Sequence, residues 1–225
     1  MNILAIECTH SALSTAVMNA GVVTEIRSDE WMKAAETLVP LIEEVMAESA
    51  LERQQLDCIA ISSGPGSFTS LRIGMAVAKG IAYALGIPLV AVPTLPAMAA
   101  SLPAGSSAGR VMAVIPARKG EYYYADYLPE ELSSGLWRDE VRRGSAGDVA
   151  GAAAQSGGTV VVGRRLDEIT PLPAASGAVY AEADFFSARS LFPQAERLFA
   201  GTNASELNGV TPDYRQMFTP NGGRE

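Results

Sequence analysis

A glycine-rich segment is the part of the chain whose residue types best suit binding of a phosphate. The apolar run Leu56–Ile61 leads into Ser62-Ser63-Gly64-Pro65-Gly66-Ser67-Phe68-Thr69, and a long Ala-rich stretch of helical composition follows. A strand, a glycine-rich turn and a helix in this order aim free backbone N–H groups at an anion. The segment therefore predicts a phosphate region that includes Gly64, Gly66, Ser67 and Thr69.

A simpler interpretation of the same segment stays open. A tight connection between a strand and a helix also needs glycines for its backbone angles. The segment is not a Walker A loop, because no Gly-Lys-Ser or Gly-Lys-Thr follows it.

Residues for metal binding or nucleophilic catalysis are scarce. The chain has one histidine, His10, so a metal site with two histidines is excluded within it. Neither a Ser/His/acid set nor a Cys/His set can be assembled without assigning every role to His10. Cys8 and Cys58 fall in or beside predicted buried strands, where single thiols are usually inert. We therefore predict no catalytic residue and no metal site.

The first hundred residues have the pattern of one half of a ribonuclease-H-like fold. Alternating residues with turn signals predict a three-stranded meander, and helical and strand patterns alternate after it. The predicted elements are strands Asn2–Cys8, Ser14–Asn19 and Val22–Trp31, a helix around Leu38–Met46 with Pro40 in its first turn, strand Leu56–Ser62, helix Phe68–Leu85, strand Leu89–Val92 and a helix from Thr94 to about Ser101.

A second lobe with a more degenerate pattern of elements follows a linker. The segment from Leu102 to Gly109 is rich in Ala, Gly and Ser, which predicts lobes at residues 1–102 and 103–225. The elements predicted beyond it are a hairpin of Arg110–Ala117 and Glu121–Leu128, a short helix between Val141 and Ala154, strand Thr159–Val162 and helix Ser187–Phe199. The predicted fold class is α/β, an actin-like/ribonuclease-H-like (ASKHA) fold with two lobes, each a mixed sheet flanked by helices.

Glu7 has a special position if this fold is right. In this superfold an acidic residue at the end of the first strand stands near nucleotide phosphates or their metal. Glu7 ends the first predicted strand, so it joins the predicted phosphate region. The alternative is a carboxylate satisfied by nearby backbone N–H groups.

The helix Phe68–Leu85 is apolar on nearly every side. Such a helix must be buried on two opposite sides. Its own sheet covers one side, and either the neighbouring helix or another subunit covers the other. Two such helices side by side form half of a four-helix bundle, which predicts a partner interface. The predicted interface residues are Leu38, Leu41, Ile42, Val45, Met75, Ala78, Lys79 and Ala82. We expect Ala78→Glu or Ala82→Glu to abolish partner binding.

The composition limits the classes of function. Apolar residues make up 48% of the 225 residues, and charged residues make up 19%, as in globular proteins. The net charge of −8 argues against a chain that binds a nucleic-acid backbone on its own. Neither an amino-terminal targeting signal nor an apolar run of membrane-spanning length is present, so no membrane association and a cytoplasmic location are expected.

Several segments together carry a resemblance to a known family. They are Ile3–Thr9, Leu38–Ile42, Gly64–Gly74, Gly86–Val90, Ala117–Tyr123 and the closing Pro212–Arg215. This set resembles the TsaB (YeaZ) family of the glycoprotease-like superfamily, over residues 1–125 and again at the closing motif.

The resemblance implies an accessory scaffold subunit for tRNA threonylcarbamoyladenosine (t6A) formation. Such a subunit pairs with a TsaD-type catalytic subunit, helps to recruit a TsaE-type ATPase, forms a homodimer when alone and meets tRNA only through the complex. The catalytic TsaD paralogues carry His-x-x-x-His where this chain has Thr94 and Met98. The family's Asp-Ala-Arg at the start of the second lobe reads Pro116-Ala117-Arg118 here. We therefore expect no independent catalytic activity and no tightly bound cofactor.

Two other functions stay open from the sequence. One is an enzyme of the same superfold, either a glycoprotease-like peptidase or a nucleotide-binding ATPase or kinase, supported by Glu7 and the turn Gly64–Thr69. The other is a homodimer that binds ATP or ADP as a structural ligand without turning it over.

Overall fold

Two five-stranded mixed sheets form the framework of the protein. The structure is a computed structural model, and it describes residues 1–9, 13–103, 109–155, 157–172, 177–200 and 204–215. The strands of the first sheet are β1 (Ile3–Glu7), β2 (Leu13–Asn19), β3 (Val22–Ser28), β4 (Cys58–Gly64) and β5 (Leu89–Pro93). They lie in the order β3-β2-β1-β4-β5, with β1, β4 and β5 parallel and the meander antiparallel. The predicted meander of the first lobe is confirmed.

The second sheet repeats the connectivity of the first. Its strands are β6 (Arg110–Pro116), β7 (Glu121–Tyr127), β8 (Arg142–Ser145), β9 (Thr159–Gly163) and β10 (Val179–Glu182). They lie in the order β10-β9-β6-β7-β8, with β6, β9 and β10 parallel. Each lobe is thus a meander followed by two parallel strands, which confirms the predicted ASKHA-type fold. The sequence did not predict β8 and β10, because these four-residue edge strands lack an alternating apolar pattern.

Helices cover both sheets. They are α1 (Ala34–Glu48), α2 (Phe68–Leu85), α3 (Thr94–Ala100), α4 (Pro129–Ser134), α5 (Ala146–Gln155) and α6 (Phe192–Phe199). The bounds of α2 are those predicted, and Gly86 ends the helix with a positive φ of 67°. The prediction for Pro40 was wrong, because α1 begins at Ala34 and Pro40 lies inside it. Pro40 is exposed, so water can hydrogen-bond to the carbonyl that its missing N–H leaves free.

The apolar residues form three layers, one between the sheets and one on the outer face of each sheet. α1 and α2 cover the outer face of the first sheet, and α5 covers that of the second. The middle layer contains α3, α6 and the 3₁₀ turn Ala188–Leu191. The turn and α6 fall within the predicted second lobe, yet they pack on strands of the first sheet. Burial on both faces explains why β1 and β4 contain continuous apolar runs, Ile3–Ile6 and Cys58–Ile61, before their polar ends.

A C-terminal strap, residues 211–215, ties the two lobes together. The ring of Tyr214 packs on Phe68 of α2 with ring centroids 4.7 Å apart, and its hydroxyl accepts a hydrogen bond from Nε of Arg72 at 3.1 Å. The hydroxyl of Tyr123, on β7, donates to the carbonyl of Tyr214 at 3.3 Å. The first turn of α2 is therefore connected to the second sheet through a single residue of the strap.

Among the residues that the structure describes, no helix is long and apolar enough to cross a membrane. Most of the predicted linker, residues 104–108, lies outside the described part of the chain, as does His10.

Candidate functional site

Glu7 is a buried carboxyl group at the end of β1. The residue is 3% exposed, and its Oε1 accepts hydrogen bonds from the N–H of Thr9, at 2.7 Å, and from the Thr9 hydroxyl. Its Oε2 is buried and has no hydrogen-bond partner among the described residues. Burial raises the pKa of Glu7, against the opposing effects of the hydrogen bonds from Thr9, of the nearby Ser62 hydroxyl and of the charge on Arg164. The neutral acid is therefore favoured in the folded chain.

Replacement of this carboxyl by an amide is expected to change how stability depends on pH. Because the folded pKa of Glu7 lies above its ordinary value of 4.5, the folded state binds the extra proton between the two values. The free energy of unfolding of the wild type then falls as pH rises through that window. Glu7→Gln lacks this proton, so its stability relative to the wild type should improve as pH rises above 4.5.

Urea unfolding of both proteins at several pH values measures this difference. Asp148→Asn is a suitable control, because hydrogen bonds from Ser145 lower the pKa of the exposed Asp148 carboxyl. Its stability relative to the wild type should change in the opposite direction over acidic pH. A constant difference between Glu7→Gln and the wild type would contradict the raised pKa.

The glycine-rich turn after β4 packs against the chain next to Glu7. Gly64 has a φ of +114°, and a Cβ added at Gly66 would lie 2.6 Å from the carbonyl oxygen of Thr9. The N–H of Gly64 donates to Oγ1 of Thr94 at 3.1 Å, and the N–H of Ser67 donates to the carbonyl of Thr9 at 2.8 Å. Both amides are thus used inside the protein.

The structure gathers Gly66 and Ser67 around Thr9, which also hydrogen-bonds to Glu7, and Gly64 lies in the same turn. Thr69 is apart from this group and exposed on the first turn of α2. The geometry is that of a tight strand–helix connection, and binding of ATP or ADP at these residues stays a prediction.

The residues at the positions considered for metal binding and thiol chemistry are all buried. Thr94 and Met98 are fully buried in α3. Burial raises the pKa of the Cys8 thiol, and it raises that of Cys58 to about 12. No group of three or more His, Cys, Asp or Glu side chains in the described ranges is arranged to hold a metal.

The predicted interface residues of the helix pair, except Lys79, are buried against the chain's own first sheet. They are Leu38, Leu41, Ile42, Val45, Met75, Ala78 and Ala82. Lys79 is half-buried. Glutamate at Ala78 or Ala82, both 0% exposed, would place an unpaired charge in the core and test folding rather than partner binding. Of the predicted interface residues, Lys79 is partly accessible and Ile42 lines the groove described below, and contact of a partner with any of them stays a prediction.

The outer face of the helix pair, meaning the exposed and half-buried residues of α1 and α2, contains an open groove of about 460 Å³. The apolar residues that line it are Leu4, Val39, Ile42, Met46, Leu56, Val77, Gly80, Ile81, Ala84 and Leu85. Val39 is 47% exposed, and the neighbouring Tyr83 is 81% exposed. Ala76, Gly80 and Ala84 recur every fourth residue on the exposed side of α2, so another helix can approach closely. The sequence gives no signal that separates this side from the buried one, because Gly74, Ala78 and Ala82 recur with the same spacing.

Comparison with known proteins decides the family. The family model described as TsaD, tRNA N6-adenosine threonylcarbamoyltransferase, matches residues 6–135. The tRNA threonylcarbamoyladenosine biosynthesis protein TsaB of Escherichia coli (strain K12) is 30% identical over 219 residues, which cover 95% of this chain and 94% of that protein. The chain belongs to the TsaB (YeaZ) family. This assignment places it in t6A biosynthesis and confirms the resemblance seen in residues 1–125.

Other relatives of this TsaB-family chain agree. The tRNA N6-adenosine threonylcarbamoyltransferase of Legionella pneumophila (strain Corby) is 40% identical over 88 residues, which cover 39% of this chain and 26% of that protein. An uncharacterized Pseudomonas aeruginosa protein with similarity to peptidase YEAZ has a TM-score of 0.80 at 24% identity, covering 96% of this chain and 99% of its own. YeaZ from Pseudomonas aeruginosa has a TM-score of 0.75 at 24% identity, covering 95% and 99%. The two solved structures show the same fold.

Proposed function

We propose that this chain is a non-catalytic subunit in t6A formation that pairs with a TsaD-type catalytic subunit through the outer face of α1 and α2. The observation that carries the proposal is the open apolar groove of about 460 Å³ along this helix pair. Apolar side chains exposed along a helix pair mark a candidate protein interface.

The groove has the shape that helix packing requires. Val39 stands on one side of it, and Val77 and Ile81 are half-buried on the other. The ridge of Ala76, Gly80 and Ala84 provides a close approach for a second helix, because none of these residues has a long side chain. A helix pair from the partner would complete a four-helix seam.

The TsaD family model points to the kind of partner. Its match to residues 6–135 covers the last two residues of β1, strands β2 to β7 and both helices of the pair. A TsaD-type subunit would therefore carry a corresponding helix pair, and two such pairs can meet about an approximate twofold axis. The same surface would serve a homodimer when the partner is absent.

Charge at the rim supports a basic partner. α1 presents Glu36, Glu43, Glu44 and Glu48 to solvent, and only Glu43 has a cation nearby, Arg53 at 3.4 Å, among the described residues. An acidic rim steers a basic surface toward the groove. A basic partner would also supply the phosphate contacts to tRNA that a chain of net charge −8 is poorly suited to make. We further propose that a TsaE-type ATPase joins the assembled pair rather than the free chain.

Reconstitution of tRNA threonylcarbamoylation from purified components tests the function. The reaction should require this chain together with a TsaD-type subunit and a TsaE-type ATPase, and the chain alone should neither modify tRNA nor hydrolyse ATP. Binding of the ATPase, measured by gel filtration, should appear only with the assembled pair. Equal product without this chain would refute the accessory role, and ATP turnover by the isolated chain would favour an enzyme.

A further inference from the structure

A surface ridge of cationic and aromatic side chains, called the basic ridge below, crosses from α2 to the second sheet. Its residues are Phe68, Arg72, Tyr214, Arg118, Lys119 and Arg143. The basic ridge shares no residue with the groove on the helix pair. An inference from the ridge therefore does not depend on where the proposed partner docks.

The first-lobe end of the basic ridge is an exposed cation–π cluster. Cζ of Arg72 lies 3.9 Å from the ring centroid of Phe68 and 5.5 Å from that of Tyr214. Phe68 is 40% exposed, and Arg72 is exposed as well. Nε of Arg72 donates to the Tyr214 hydroxyl, and its guanidinium meets no carboxylate among the described residues. Its terminal NH₂ groups therefore remain for an anion from outside the chain.

The second-lobe end of the basic ridge has more cations than carboxylates. Oε2 of Glu121 accepts hydrogen bonds from Nε of Arg118 at 2.5 Å and from Nε of Arg143 at 3.1 Å. One carboxylate thus serves two arginines. Lys119, in the turn between β6 and β7, is exposed and has no carboxylate partner in the described part of the chain.

The two ends are continuous through β7 and the strap. Cζ of Arg143 lies 6.0 Å from the ring centroid of Tyr123. The Tyr123 hydroxyl donates to the carbonyl of Tyr214, whose ring packs on Phe68. The cations of both lobes therefore border one surface, with aromatic rings between them.

The charge of this surface is opposite in sign to that of the whole chain. Beside the ridge, Arg215 is paired with Asp213 and Asp139. With these residues included, five cations meet three carboxylates, which leaves an excess of two positive charges in a chain of net charge −8. A local basic surface on an acidic chain attracts an anion to that place and not elsewhere.

We propose that the basic ridge binds a single-stranded segment of nucleic acid, with phosphates on the cations of the second lobe and a base stacked at Phe68 and Arg72. Aromatic rings and guanidinium planes beside a basic track are the usual means of binding unpaired strands. RNA and DNA strands share this chemistry, and the choice of RNA rests on the proposed function. The ridge then adds a contact of this chain's own to the phosphate contacts of a basic partner.

Fluorescence anisotropy of the full chain with a short labelled RNA strand tests the phosphate contacts. The double variant Arg118→Gln/Lys119→Gln should reduce the slope of log affinity against log salt by about 1.4, because each phosphate contact of a single strand contributes about 0.7. The matched control is Lys33→Gln/Arg53→Gln, which changes the net charge equally at side chains 59% and 64% exposed and outside the ridge. The control should leave the slope unchanged.

The stacking contact is tested in the same assay. Phe68→Leu keeps an apolar side chain against Tyr214 but removes the ring, so the strand should bind about tenfold more weakly. Tyr83→Leu is the control, because it removes an 81% exposed aromatic ring near the other end of α2 and should leave the affinity unchanged. An acidic protein segment would use the cations of the ridge without a stacked base, so Phe68→Leu separates these two kinds of partner.

Competition identifies the ligand. Displacement of the labelled strand by unlabelled single strands, but not by polyglutamate or an RNA duplex of the same length, would support the site. Stronger displacement by RNA than by DNA of the same sequence would assign it to RNA, and equal displacement would assign it to single strands of both kinds. No binding by the wild type, full affinity of Phe68→Leu, or equal competition by polyglutamate would overturn the proposal. Each of these failures would leave the dependence of t6A formation on this chain unaffected.

Discussion

Gly74→Ala is expected to destabilise the chain by about 2 kcal/mol, although alanine normally favours a helix over glycine. A Cβ at Gly74 would lie 2.2 Å from Sγ of Cys8 and 3.2 Å from Cδ1 of Ile61, so α2 would have to move away from the first sheet. Overpacking costs about 1–3 kcal/mol, and a contact this short should reach the upper end. Helix propensity returns about 1 kcal/mol. Urea unfolding followed by circular dichroism measures the net loss.

Two further variants separate this clash from a general effect of the substitution. Gly80 lies on the same helix with nothing within 4 Å of an added Cβ, so Gly80→Ala should stabilise the free chain by about 0.5–1 kcal/mol. In a Cys8→Ala background the sulfur is gone, and Gly74→Ala should cost about 1 kcal/mol or less. Equal losses at Gly74 in both backgrounds would show that Cys8 does not limit the approach of α2.

Ala84→Glu is expected to weaken the complex with a TsaD-type partner about 100-fold while leaving the free chain folded. Ala84 is exposed and lines the groove, so the change should alter stability by no more than about 0.5 kcal/mol. In the complex the carboxylate would be buried without a partner, which costs about 3 kcal/mol. Sedimentation or calorimetry of the purified pair measures the affinity.

Val22→Glu is the matched control for this substitution. It makes the same change of charge on β3, where Val22 is 70% exposed and lies away from the groove. It should leave the affinity for the partner within about twofold. Full binding by both Ala84→Glu and a second groove variant, Val39→Glu, would show that the partner docks elsewhere.

Local patterns decided most elements of the first lobe. The meander around Asn19–Gly21 and the helix Phe68–Leu85 follow from turn residues and from spacing of apolar residues, which depend only on neighbours in sequence. In the second lobe the edge strands β8 and β10 are short and half-exposed, so their pairing depends on the strands beside them. β8 pairs with β7, and β10 pairs with β9. These neighbours, rather than the intrinsic β-propensity of the two segments, determine that they are strands.

At the candidate sites, too, local sequence predicted some features, whereas others depend on contacts between distant residues. The glycines at positions 64 and 66 marked a tight turn correctly, but only the folded chain shows that Thr94 and Thr9 take up the amides of Gly64 and Ser67. Likewise, α2 is apolar all round, so its sequence alone did not distinguish the buried side with Ala78 from the exposed side with Ala84.

The sequence by itself determined the family, the ASKHA-type fold and the lack of a second histidine for metal binding, because motif wording, periodicity and residue counts are properties of the linear chain. Tertiary structure decided which side of α2 is free, how Glu7 came to be buried with an unpartnered oxygen, and that Phe68, Arg72 and Tyr214 meet in one ridge. These features depend on contacts between residues far apart in the chain. Burial, pKa and enclosed volume arise only when the sheets, helices and strap are packed together.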